Sequence, residues 1–398
     1  MPSAVCFPQV LTMEPPKILK TNCFSSCHQR PGEKCGLNYG FQTVDPPGVP
    51  MPETMQAVVF HAPWDMKLER LPKPEPAPGE VLVKMKAVGI CGSDVHGFTG
   101  ESGRRAPGMV MGHEAAGEVV ARGDGVRSPD LGDPVTIYNI IAHTPPDPDE
   151  GDPSFLDKKM IGVNLAKRGA MAEFLSVPAE NAIPLPPEIP PEIGLLAEPL
   201  AVVTRGWRRL EKLGVRSSRL AIVGAGTIGL AAVLMARARE LSRTVVLDTV
   251  AEKADRAAEF GAGAVSVASG DPGSVAGEVE SRLLGKPEVV IDAVGTRESF
   301  SLCLALVEAG GTLLLIGNLA REVSLPLQDA VSNEVCLVGT YGFDRSDFAS
   351  AVRVLPDVKS ELSTFIEGRC RLSETPQVMT SLARGESQAL KTVIVFEG

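Results

Sequence analysis

Apolar positions recur at short range between residue 55 and about residue 200, and Gly or Pro cuts each run. EVLVKMKAVGI (80–90) alternates apolar and polar residues, the period of a half-buried strand. QAVVF after Met55, EAAGEVVARG and GDPVTIYNI read as further strands closed by turn residues. PPDPDEGDPSFLDKK (145–159) reads as a polar, proline-laden loop. The pattern changes near residue 200, where AEPLAVVTRGWRRLEKLG takes helical spacing. From 219 to 342, apolar segments such as RLAIVGAG, RTVVLDT, EVVIDAVG, GTLLLIGN and CLVGTYG alternate with helical ones. Apolar strands alternating with helices predict a parallel sheet covered on both faces. The tail predicts helices and a closing strand, LKTVIVFEG, that returns to the first body.

The pattern therefore divides the chain into an extension (1–54), a β-rich body (55–202), an α/β body (203–342) and a returning tail (343–398). The extension is rich in Pro, Gly, Ser and Asn and shows no period, so it reads as poorly ordered. Its Cys23, Cys27, His28 and Cys35 lack the spacing of a zinc knot.

Composition narrows the function. The 398 residues are 44% hydrophobic and 22% charged, the balance of a soluble globular protein. A net charge of -10 argues against a nucleic-acid surface. The longest uncharged stretch (220–236) falls short of the roughly 18–20 residues of a membrane span. The N-terminal residues lack a basic region followed by an apolar core, so no secretory signal is expected. Eight cysteines without such a signal suit a cytoplasmic protein better than a disulfide framework.

RLAIVGAGTIG is a buried strand running into Gly224, Gly226 and Gly229. The first glycine makes the tight turn, the second admits a pyrophosphate and the third lets the helix pack closely. Thr227 and Ile228 lie at the start of that helix, whose N-terminus attracts phosphate. TVVLD then ends in Asp248, about 20 residues on, where a carboxylate bonds the ribose 2′-hydroxyl. Thr249 and Val250 offer no cation for a 2′-phosphate, so NAD is expected over NADP. Lys253 joins the expected cofactor contacts.

GICGSDVHGFTG (89–100) packs a cysteine, a serine, an aspartate and a histidine between glycines, and GHEAAGEVV follows with His113 and Glu114. With AEPLAV, these motifs occur in an order that resembles the zinc-dependent medium-chain alcohol dehydrogenase family, nearest its sorbitol, threonine and butanediol dehydrogenase branch. The resemblance runs from Met55 to the end of the chain. It implies an α/β protein with a β-rich GroES-like catalytic domain and a doubly wound Rossmann domain. It implies one catalytic zinc held by Cys91 and His113, with Glu114 and Glu198 as ligands or near-ligands. Cys, His and carboxylate are standard zinc donors, and a catalytic site keeps one position open. Ser93 matches the family's proton-relay hydroxyl and His96 the histidine that passes the proton to solvent; Glu198 is a further acid–base candidate. Asp94 is expected to accept a hydrogen bond from His113.

The resemblance further implies hydride transfer between a secondary alcohol and NAD, and a homodimer or homotetramer acting on a small alcohol or ketone. Two departures stand out. Residues 139–170 contain no cysteine, so the structural zinc of many relatives is not expected. Gly92 stands where some relatives place a pyrophosphate-binding arginine. Arg104 and Arg105 read as a solvated pair, with contact to an anionic or polyhydroxylated substrate as the alternative. The competing functions are a zinc-free NADPH quinone or enone reductase, and a non-catalytic nucleotide-binding protein on the same fold.

Overall fold

The structure is a computed structural model that describes residues 53–141, 159–165, 168–267 and 272–397. The extension 1–54, save its last two residues, and the loop 145–159, save Lys159, lie outside these ranges.

The first body is built around the strand Glu80–Ile90, with Val83, Met85 and Ala87 buried and Lys84 and Lys86 partly exposed between them. Glu114–Arg122 lies antiparallel on one side of it, followed outward by Pro134–Ile137 and Ala182–Pro184. Phe174–Pro178 pairs with the Glu80 end. On the other side lies Lys391–Val395, so the end of the chain closes the sheet begun by its first third. Ile366–Arg371 adds a parallel edge strand that the sequence pattern does not reveal, because IEGRCR buries only its first residue and Cys370. A smaller sheet joins Asp65–Pro72, Thr54–Ala62 and Met109–Val110.

The second body is a six-stranded parallel sheet. Its strands lie in the order Gly263–Ser266, Arg243–Asp248, Arg219–Val223, Val289–Asp292, Thr312–Leu315, Cys336–Gly339. Counted in chain order this is 3-2-1-4-5-6, the doubly wound arrangement. The switch point lies between Arg219–Val223 and Val289–Asp292, where such sheets bind nucleotides. Gly263–Ser266 and the helix Pro272–Leu283 escape a pattern reading, since GAVS is short and PGS mimics a turn.

The helix Ala197–Lys212 buries Leu200, Val203, Trp207 and Leu210 in a cluster holding residues of both bodies, among them Ala116, Leu220, Leu230 and Phe348. Each such Leu or Phe stabilises the fold by roughly 1.5–3 kcal/mol relative to exposure. The same helix carries Glu198 in its first turn, so this packing also positions a candidate site residue.

Candidate active site

Cys91 follows the central strand and caps the helix Gly92–Phe98. Its backbone N–H donates to Asp94 Oδ2 at 3.2 Å, which fixes the turn. Gly112, at φ +90, leads into His113 and the strand Glu114–Arg122. These two turns bring the donor atoms of Cys91, His113 and Glu114 within 4.8 Å of one another. Among the described residues this is the one group of Cys, His and acidic side chains gathered closely enough to hold a metal. A thiolate, an imidazole and a carboxylate in a largely buried pocket fit zinc.

Glu198 is buried nearby, with Asn139 Nδ2 at 3.5 Å from its Oε1. Burial pushes its pKa up to about 7; Glu114 and Asp94 add to this, against His113 and Lys391. The carboxylate of Glu114 is not free. Lys391 Nζ donates to its two oxygens at 2.9 and 2.8 Å, and also to the Ile90 carbonyl at 3.3 Å. Burial opposes the charge on Lys391, but Glu114, Cys91 and Glu198 outweigh it and hold its pKa above the usual lysine value.

Asp94 lies beside His113, with Oδ1 3.3 Å from Nδ1, in an ionic contact rather than the expected hydrogen bond. Burial disfavours a charged His113, yet Asp94 and Cys91 hold its pKa well above the ordinary histidine range. Ser93 Oγ lies 3.4 Å from His113 Nε2. His96 is not its partner: His96 Nδ1 lies 2.6 Å from Glu101 Oε2 at the surface. The structure thus brings Ser93 to the donor cluster and places His96 in a separate pair.

At the dinucleotide turn, Gly224 takes φ +102, a conformation that disfavours a side chain. A Cβ at Gly229 would lie 1.7 Å from the Gly224 carbonyl oxygen, so only glycine allows this helix to approach its strand. Gly226 caps the helix Thr227–Arg237 without a side-chain hydrogen bond. Asp248 ends its strand and accepts from Ala225 N at 2.8 Å and Val250 N at 2.9 Å. Thr227 Oγ donates to the Leu390 carbonyl at 3.1 Å, beside Lys391, so the fingerprint and the donor cluster share one strand end. Ile228 and Lys253 are half-buried, the latter on Ala251–Glu259.

Residues 77–187 match the alcohol dehydrogenase GroES-like domain and residues 227–356 the zinc-binding dehydrogenase domain. Sorbitol dehydrogenase from Bos taurus is 33% identical over 352 residues, 84% of this chain and 94% of its own. The chain belongs to the zinc-binding alcohol dehydrogenase family.

Two solved alcohol-dehydrogenase structures share the architecture. The enzyme from Thermus sp. ATN1 superposes with a TM-score of 0.74 at 27% identity, over 86% of this chain and 100% of its own. The 2R,3R-butanediol dehydrogenase from Bacillus subtilis has the same fold, with a TM-score of 0.74 at 24% identity over 86% and 100%. As a zinc-binding alcohol dehydrogenase the protein is an oxidoreductase, which sets aside the zinc-free and non-catalytic alternatives.

Two residues beside this donor cluster were not legible as such. Lys391 is a lone cation in an apolar strand, and that isolation was its only signal. Arg105 does not belong to a solvated pair: its side chain is 2% exposed and bonds Asp94. Arg104 remains exposed and donates to Tyr341 Oη at 3.3 Å.

Proposed function

We propose that the protein is an NAD-dependent polyol dehydrogenase, interconverting a secondary alcohol and its ketone at one zinc per chain. The substrate classes are polyols such as sorbitol, vicinal diols, amino alcohols and cyclitols. The observation that carries this reading is the convergence of Cys91, His113 and Glu114, with Glu198 buried alongside. When bound, zinc supplies Lewis acidity at the substrate oxygen and the nicotinamide supplies hydride transfer.

The residues of the chain do the rest. Cys91 and His113 hold the metal, and Glu198 and Glu114 offer carboxylates, the latter shared with Lys391. Ser93, 3.4 Å from His113, takes the alcohol proton, and water carries it to the exposed pair of His96 and Glu101, which stands apart from Ser93 and releases it to solvent. Glu198, with its raised pKa, is the second proton carrier. The backbone at Gly224, Gly226, Thr227, Ile228 and Gly229 receives the pyrophosphate at the helix N-terminus. Asp248 binds the ribose hydroxyls and repels a 2′-phosphate, and Lys253 assists from the next helix. Residues 55–202 and 343–398 form the catalytic domain and residues 203–342 the NAD-binding domain.

The absence of cysteine from residues 139–170 supports a single zinc. Self-association into a homodimer or homotetramer is supported by the edge strand Cys336–Gly339. Leu337 on it is 40% exposed, and Leu327 and Val331 on the adjoining short helix are 65% and 67% exposed. Unpaired edges flanked by exposed apolar residues favour pairing with another chain. Unpaired cysteines at 91, 303, 336 and 370 suit the cytoplasm. Among the described residues no helix is long and apolar enough to cross a membrane.

The test is a screen of polyols, vicinal diols, amino alcohols and aminocyclitols with NAD, alongside metal analysis of the desalted protein. One zinc per chain and NAD reduction with at least one class are expected. Two tightly held zincs, no zinc, or no turnover with any class would overturn the reading.

A further inference from the structure

Arg105 turns away from solvent into the wall of the donor cluster. Its Nη1 donates to the Val163 carbonyl at 3.0 Å, and its Nη2 to the Ser93 carbonyl at 3.3 Å and Asp94 Oδ1 at 3.1 Å. Gly97 makes room for it: a Cβ there would lie 2.8 Å from Arg105 Nε. Asp94 is fully buried, and its carboxylate meets Arg105, the Cys91 N–H and His113 Nδ1.

A buried carboxylate without a counter-charge is costly. His113 cannot provide that charge while acting as a metal ligand, because a ligating imidazole is neutral. Arg105 can, since a guanidinium stays protonated at any ordinary pH. Arg105 thereby supplies the counter-charge to Asp94 and holds its carboxylate against His113, with Oδ1 3.3 Å from Nδ1. The same guanidinium ties down the backbone of Ser93, so one side chain braces both the ligand histidine and the proposed relay.

We propose that Arg105 is a positioning residue of the metal site, acting through Asp94 on His113. This rests on the reading of Cys91 and His113 as metal ligands. Carboxylates behind ligating histidines typically contribute about 10–100-fold in metal affinity. Removing Arg105 should therefore weaken metal binding by about 10–100-fold, and only while Asp94 is present to be misplaced.

The test is zinc affinity of the full chain by chelator competition, with the cobalt(II) absorption spectrum as a second readout. Wild type, Arg105→Met, Arg105→Lys, Asp94→Asn and the double variant Asp94→Asn/Arg105→Met are compared. Arg105→Met and Asp94→Asn should each lose affinity and alter the cobalt spectrum. The double variant should bind no more weakly than Asp94→Asn alone, since coupled residues are not additive. Arg105→Lys, which keeps the charge, should recover most of the loss. Multiplying losses, or wild-type affinity and spectrum in Arg105→Met, would overturn the inference. If Arg105→Met does not fold, the comparison of Asp94→Asn with the double variant decides, because neither buries an unbalanced carboxylate. A further tenfold loss in the double variant then counts against Arg105, and equal affinity supports it. Failure of the wild type itself to bind zinc would instead refute the metal-site reading.

Discussion

Lys391 Nζ contacts both carboxylate oxygens of Glu114, at 2.8 and 2.9 Å, although 277 residues separate the two in the chain. Lys391 is 3% exposed and Glu114 1%. The pair thus fastens the closing strand to the donor cluster in a water-poor pocket. Breaking such a pair by removing one partner costs about 3–5 kcal/mol, because the other charge is left buried and unbalanced. Lys391→Met should lower the unfolding temperature of the metal-free protein markedly, and adding Glu114→Gln should restore most of it. Calorimetry of the three proteins checks this. A Lys391→Met protein that melts with the wild type would show that the pair is not closed in solution.

Ser93→Ala should slow turnover by about 10²–10⁴-fold, the usual loss on removing a positioned proton-transfer group. Zinc content and NAD binding should stay nearly intact. Cys91→Ser should instead lose zinc together with activity, since a thiolate ligand is replaced by a weak one. Because Ser93 lies 3.4 Å from His113 Nε2, zinc content is the necessary control. Near-full kcat in Ser93→Ala, with a deuterated substrate showing hydride transfer to be rate-limiting, would remove Ser93 from the relay.

NAD should exceed NADP in kcat/KM. Asp248 receives backbone N–H groups from Ala225 and Val250, so its carboxylate is fixed at the end of its strand. An anion held there opposes the added charge of a 2′-phosphate. Asp248→Ser should narrow the preference mainly by lowering KM for NADP. Equal efficiency with both cofactors in the wild type would defeat the assignment.

The ease of reading these parts followed the distance over which each is encoded. Gly224, Gly226, Gly229 and Asp248 sit within one strand–helix–strand unit, so spacing alone carries their geometry. Cys91, His113 and Glu114 were legible through the resemblance of GICGSD and GHE to the family's motifs, since Cys, His and carboxylate are standard zinc donors. Their partners were not, since Lys391 arrives from the far end of the chain and Arg105 is chemically identical to its exposed neighbour Arg104. Gly263–Ser266 and Ile366–Arg371 were missed because short strands with few buried residues give little period to detect. Helix start signals in the tail were stronger, as where Asp344 caps Arg345–Val354 through the Ser346 and Asp347 N–H groups.

Glu198 makes the metal-free protein sensitive to pH in an unusual direction. Burial is the chief cause that raises its pKa to about 7 from the ordinary carboxylate value of 4.5. The folded state therefore binds a proton that the unfolded chain has already released between these limits. Stability varies with pH as the protons bound by the unfolded state less those bound by the native state. The difference is negative here, so the contribution is fully present below about pH 4.5 and is lost as pH rises to about 7. Most carboxylates act oppositely, so the effect is isolated by comparison with Glu198→Gln, which carries no titrating group. Denaturant unfolding of both metal-free proteins across this range should show the wild type losing stability relative to the variant as pH rises. A constant difference between the two across the range would mean that Glu198 titrates as an ordinary solvated acid.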